Sequence, residues 1–162
     1  LNPKIGRDWM LRGTQRWIPT PGKNEKYYVA GALDVRTGKV IATGNSRKNV
    51  DLFIALLWRL IGAYPWAKRV HLVVDNYCIH KAKRTQRVLA DLGGKIVLHF
   101  LPPYCPQANR IERVWLDLHA NVTRNHRCRG LPELLGKAHD YIQQYRWTRA
   151  SKPVPLRQRL AA

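Results

Sequence analysis

Apolar residues recur along this chain with two different periods, and the switches between them outline its elements. Tyr27 to Val35 (YYVAGALDV) is rich in β-formers and contains one glycine, Gly31, which predicts a strand. Arg36-Thr37-Gly38 is turn sequence, and Lys39 to Gly44 (KVIATG) predicts an antiparallel partner. After Asn49, a predicted N-cap, the period changes. Val50, Phe53, Ile54, Leu57, Leu60 and Ile61 then share one helical stripe, ending near Ile61. Val70 to Asp75 is nearly all apolar up to its last residue, as expected of a strand covered on both faces. A helix is predicted over Lys81 to Leu92, stopped by Gly93-Gly94, and a short strand over Ile96 to Leu101. Ala108, Ile111, Trp115, Leu118 and Val122 fit a helix from about Asn109 to Val122. Leu134, Leu135, Ala138, Tyr141, Ile142 and Tyr145 fit another over Pro132 to Tyr145.

The two ends lack such periods. Pro3, Gly6, Gly13, Pro19, Pro21 and Gly22 interrupt the first 26 residues, where Thr14 to Ile18 is at best a short edge strand. Past Arg146 the sequence is basic and broken by proline. The reading is one domain over 1–146 and a basic tail over 147–162. A hairpin followed by strands alternating with helices predicts an α/β domain with a mixed sheet.

Charge narrows the partners. Lysine and arginine number 29 against 10 acids, a net charge of +19, which attracts polyanions and makes nucleic acid the leading candidate. No long apolar span, signal peptide or lipidation motif is present, so no membrane partner is expected. Cys78, Cys105 and Cys128 show no CxxC spacing and fit a reducing cytoplasm.

With so few acids, those beside apolar runs invite a question. They are Asp34, Asp75 and Glu112. Asp75 ends the strand of VHLVVDNY, and Glu112 opens the helix that follows the stiff turn of LPPYCPQANRIERVW. A strand–helix–strand–helix path can bring both carboxylates to one edge of a parallel sheet, a seat for divalent metal. Simpler roles exist for each. Asp75-Asn76 is ordinary turn and capping chemistry, and Asn109 to Glu112 has the spacing of a capping box. His80 is either a solvated histidine at a helix start or a group supporting the metal site. Cys78 with His80, and His126 with Cys128, match no common zinc spacing.

Here a family resemblance is visible. Asp75, Asn76 and His80 form an Asp-Asn-x-x-x-His block after a strand. Leu101, Pro102, Tyr104, Pro106, Asn109 and Glu112 form a Leu-Pro-x-Tyr-x-Pro-x-x-Asn-x-x-Glu block. The pair resembles the DDE endonuclease domain of bacterial insertion-sequence transposases of the mariner superfamily. The segments LNPKIGRDWMLRG, PGKNEKYYVAGALD and TGKV extend the likeness over nearly the whole chain.

The resemblance implies an RNase H-like mixed sheet flanked by helices, and metal-dependent DNA strand cleavage and strand transfer. It makes Asp75 and Glu112 the catalytic, metal-binding carboxylates, serving two Mg²⁺ (or Mn²⁺) ions in a complete site. Asn76, His80, Lys81, Tyr104, Asn109, Arg110 and Arg113 become supporting or DNA-contacting residues. The implied partners are transposon ends and target DNA, with a homodimer in a synaptic complex at the bacterial nucleoid. The family's first aspartate lies on a strand upstream of the segment matching Leu1, and Asp34 does not match it. The sheet is therefore expected to lack its first strand, with Arg12 to Ile18 or another molecule covering the exposed edge. The rival reading is a catalytically dead remnant that binds DNA or dimerises. A ribonuclease H or junction nuclease is the third.

Overall fold

Asp34 closes the first hairpin of the fold. In the computed structural model, which describes residues 3, 5–7, 9–15, 17–19, 22, 25–103 and 108–145, β1 (Tyr28–Leu33) pairs antiparallel with β2 (Val40–Asn45). The register runs from Tyr28 opposite Asn45 to Leu33 opposite Val40. Asp34 N–H donates to the Lys39 carbonyl at 2.9 Å, and Gly38, at φ 75°, donates its N–H to the Asp34 carbonyl. That left-handed position is one glycine adopts without a Cβ penalty. Oδ1 of Asp34 accepts the Arg36 and Thr37 amides at 2.9 and 3.3 Å, so the turn is held from inside.

Helix α1 (Val50–Ala63) starts where Asn49 Oδ1 accepts the Leu52 amide at 3.2 Å, the expected N-cap. Its buried stripe is Leu52, Phe53, Leu56, Leu57 and Leu60. Val50, Ile54 and Ile61 are only half-buried, so the stripe is turned from the predicted one. The cause is tertiary: α1 must serve strands from two different sheets at once. Phe53, Leu56, Leu57 and Leu60 join Ala32 of β1, Val74 of β3 (Val70–Val74) and Ile96 of β4 (Ile96–Phe100) in one core. Each large side chain buried there contributes about 1.5–3 kcal/mol.

β3 and β4 pair in parallel, Val70 opposite Ile96 through Val74 opposite Phe100. Among the described residues the mixed sheet is thus two separate pairs, one antiparallel and one parallel. β3 was expected to be covered on both faces. Instead His71 and Val73 are exposed while Val70 and Leu72 are half-buried and Val74 is buried, so one face only is packed. The predicted helix over Lys81 to Leu92 is two: α2 (Cys78–Lys81) and α3 (Lys83–Asp91), separated by Ala82 in extended geometry at ψ 143°. The break has a visible cause. Thr85, wholly buried, sends its hydroxyl back to the Ile79 carbonyl at 2.7 Å, taking an acceptor that a continuous helix would use. The described residues of 12–18 form no strand.

The chain divides into two compact units, residues 26–112 and residues 1–25 with 113–162. All elements above belong to the first. In the second, α4 (Ile111–Leu118), whose first two residues precede the boundary, runs on into a π-helical turn over His119–Thr123, and α5 (Leu131–Gln144) follows. Among its described residues, Val114, Leu118, Cys128, Ala138 and Ile142 are the buried hydrophobic ones. Asn125, at φ 50°, holds Gly6 by two bonds, accepting its N–H at 2.9 Å and donating to its carbonyl at 3.1 Å. The tail beyond residue 145 lies outside the described residues.

Candidate active site

The site is built on the carboxyl ends of the parallel pair. Beyond the last ladder residues, the Leu101 amide donates to the Val74 carbonyl at 2.8 Å. Asn76 Nδ2 donates to the Leu101 carbonyl at 2.7 Å, and Asn76 Oδ1 accepts Lys81 Nζ at 3.0 Å. That ammonium also lies 4.9 Å from the centre of the Phe100 ring. Asn76 and Lys81 therefore act together as a latch across the ends of β3 and β4.

Asp75 stands beside this latch with its side chain 56% exposed. Its Oδ1 accepts the Tyr77 amide at 3.1 Å and faces His80 Nε2 at 3.0 Å. Both contacts fall on the same oxygen. Oδ2 has no partner among the described residues and is left for solvent or a ligand.

His80 is placed from behind. The α2 turn that carries it is tied to α3 by Thr85 and by Gln86, whose Nε2 donates to the His80 carbonyl at 3.1 Å. The imidazole meets the Phe53 ring edge-on at 4.2 Å between centres, and the Tyr77 ring at 6.2 Å. Its side chain is 13% exposed, and its Nδ1 is buried without a hydrogen-bond partner among the described residues. Burial holds its pKa below the ordinary histidine value; the Asp75 carboxylate opposes that shift and the Lys48 ammonium adds to it. Lys48 Nζ sits 4.3 Å from the centre of the Tyr77 ring, so a cation stands near the carboxylate. Arg84 of α3 pairs with Asp51 in the first turn of α1, joining the two helices.

Glu112 lies in the first turn of α4 and is exposed. Its amide donates to the Asn109 carbonyl at 3.1 Å, but its carboxylate has no partner among the described residues. The capping-box alternative is not adopted, and the side chain is available. Asp75 and Glu112 both belong to the 26–112 unit. Asn109 is half-buried, Arg110 exposed and Arg113 half-buried. Tyr104 lies outside the described residues. No group of three or more His, Cys, Asp or Glu side chains placed to hold one metal ion occurs among the described residues.

Three neighbours of the site were not singled out from the sequence. Of these, Phe53 read only as a core position. Only the fold shows Phe53 against His80, Lys48 over Tyr77 and Thr85 buried beneath the turn.

Residues 1–135, which contain both motif blocks, match the sequence profile of the DDE superfamily endonuclease family. This chain is a member of that family. A relative from Shigella sonnei, the insertion element IS630 uncharacterized 39 kDa protein, is 48% identical over 143 residues. That match takes in 88% of this chain and 41% of the relative, so the chain spans less than half the length of that protein. Among solved structures, the catalytic core domain of BIV integrase superposes with a TM-score of 0.53 at 21% identity, covering 74% of this chain and 77% of that one. A chain of the simian T-cell lymphotropic virus intasome, in complex with PP2A regulatory subunit B56 gamma, gives 0.52 at 20% identity, covering 72% and 42%. At these identities the likeness establishes the fold of this chain, which is RNase H-like. No helix among its described residues is long and apolar enough to cross a membrane.

Proposed function

We propose that this DDE endonuclease is catalytic-domain sequence of an insertion-sequence transposase, cutting and joining DNA strands with Asp75 and Glu112 as carboxylate ligands of a divalent cation. The observation that carries the reading is Asp75 at the end of β3, with one oxygen tied down and the other open, in a chain of this family. The donor set suits Mg²⁺ or Mn²⁺, because both acids offer hard oxygens unclaimed by any other group among the described residues. When bound, such an ion polarises a phosphoryl oxygen and lowers the pKa of its water.

The chain's own residues do the rest. Asp75 offers Oδ2 while the Tyr77 amide and His80 hold Oδ1. Asn76 and Lys81 keep the strand ends together beneath it. The excess of 29 basic over 10 acidic residues holds the phosphate backbone with little reading of bases, and Arg110 and Arg113 flank Glu112 to do so locally. The DNA is that of transposon ends and target, engaged by a homodimer in a synaptic complex at the bacterial nucleoid.

A paired-ion site takes three carboxylates, and Asp34 is committed elsewhere through both of its oxygens. This favours a second reading for the chain by itself: a DNA-binding or dimerising remnant. Supercoiled-plasmid nicking with Mg²⁺ or Mn²⁺ separates the two. The transposase reading expects nicking that is lost in Asp75→Asn and Glu112→Gln. The remnant reading expects DNA binding without nicking in every form.

A further inference from the structure

We infer that His80 is a positioning residue for Asp75: as its Nε2–H tautomer it holds Oδ1 and thereby presents Oδ2 as the oxygen that meets a divalent cation. The inference rests on the reading of Asp75 as a metal ligand and says which of its oxygens binds and what aims it.

The assignment follows from donors and acceptors. An ionised carboxylate only accepts, so an imidazole nitrogen 3.0 Å from Oδ1 must carry the proton. The opposite nitrogen, Nδ1, is buried with no hydrogen-bond partner among the described residues. A second N–H there would be stranded, whereas a bare Nδ1 leaves the ring uncharged against Phe53. The ring is also prevented from turning away. Phe53 of α1 packs against it in edge-on geometry, and the turn carrying it is anchored through Thr85 to Ile79 and through Gln86 to His80 itself. A second donor, the Tyr77 amide, converges on the same Oδ1 from the main chain. Two donors on one oxygen set the carboxyl rotamer, and the other oxygen is the one without a partner among the described residues. A histidine that merely filled space at a helix start would need neither the bond to Asp75 nor the fixed tautomer. Outer partners of this kind orient metal ligands, and their removal costs affinity of about 10- to 100-fold.

The test uses the whole chain in two measurements. Long-range ¹H–¹⁵N correlation spectra of histidine-labelled protein report the tautomer at neutral pH without any metal. Titration with Mn²⁺ then compares the parent chain with His80→Phe, which fills the space without a donor, and His80→Gln, whose amide restores one near the Nε2 position. The expected results are the Nε2–H pattern for His80, an affinity loss of about 10- to 100-fold in His80→Phe, and recovery to within about threefold in His80→Gln. A Nδ1–H pattern, or parent-like affinity in His80→Phe, overturns the inference. If His80→Phe does not fold, the tautomer and the His80→Gln titration decide it alone. Asp75→Asn separates the layers: parent-like Mn²⁺ binding there removes Asp75 as a ligand, whereas loss there with full affinity in His80→Phe removes only the positioning role.

Discussion

The Tyr64 hydroxyl donates a 3.0 Å hydrogen bond to Oδ2 of Asp34, while Oδ1 of the same carboxylate accepts the Arg36 and Thr37 amides. Burial pushes the Asp34 pKa up, but these hydrogen bonds outweigh it and hold the group below its ordinary value. The carboxylate is a structural clasp between the hairpin turn and the end of α1. Asp34→Ala is therefore expected to destabilise the fold by about 1–3 kcal/mol in urea unfolding, leaving Mn²⁺ affinity unchanged. Loss of metal binding in a folded Asp34→Ala protein would make Asp34 a ligand instead.

Alkaline stability carries a second signature. Burial, reinforced by Asp34, pushes Tyr64 up to about 12, and burial with Asp117 does the same for Tyr145. Each folded value lies above the unfolded one near 10, so protons are held more tightly in the native state. The stability these phenols contribute is complete below about pH 10 and declines as pH rises toward 12. Urea midpoints across that window should fall more steeply for the parent than for the Tyr64→Phe, Tyr145→Phe double variant. Parallel curves would contradict the raised values.

Much of this was legible in the sequence, and the misses share a physical cause. Asn49 as a cap and Arg36-Thr37-Gly38 as a turn depend on neighbours a few residues away, and both stand as expected. Asp75 at a strand end and Glu112 at a helix start were likewise readable from local pattern. The face of α1, the single covered face of β3 and the break at Ala82 depend on what packs against them. That information is spread over distant residues: Ala32, Val74 and Ile96 choose the α1 stripe, and Thr85 reaching Ile79 ends α2. The contact of Phe53 with His80 leaves no periodic trace at all.

The latch makes a third prediction. Asn76→Leu removes the donor to the Leu101 carbonyl and the acceptor for Lys81 Nζ. With the site partly exposed, the loss should be about 1–2 kcal/mol in urea unfolding. Stability equal to the parent chain would show that the strand ends hold without it.

DNA binding should be governed by salt. The net charge of +19 supports contacts to six or more phosphates, for which affinity falls about a thousandfold between 50 and 200 mM salt. Fluorescence anisotropy with two duplexes of unrelated sequence should give closely similar curves. A flat salt dependence would remove DNA as the partner for this charge.

Mn²⁺ titration of a double-mutant cycle at Asp75 and Glu112 tests the shared metal site most directly. If the two carboxylates hold one ion, Asp75→Asn and Glu112→Gln each weaken binding by about tenfold or more, and the double variant is little worse than the weaker single one. Additive losses, or a Glu112→Gln protein that binds as tightly as the parent chain, would contradict a site built from both residues.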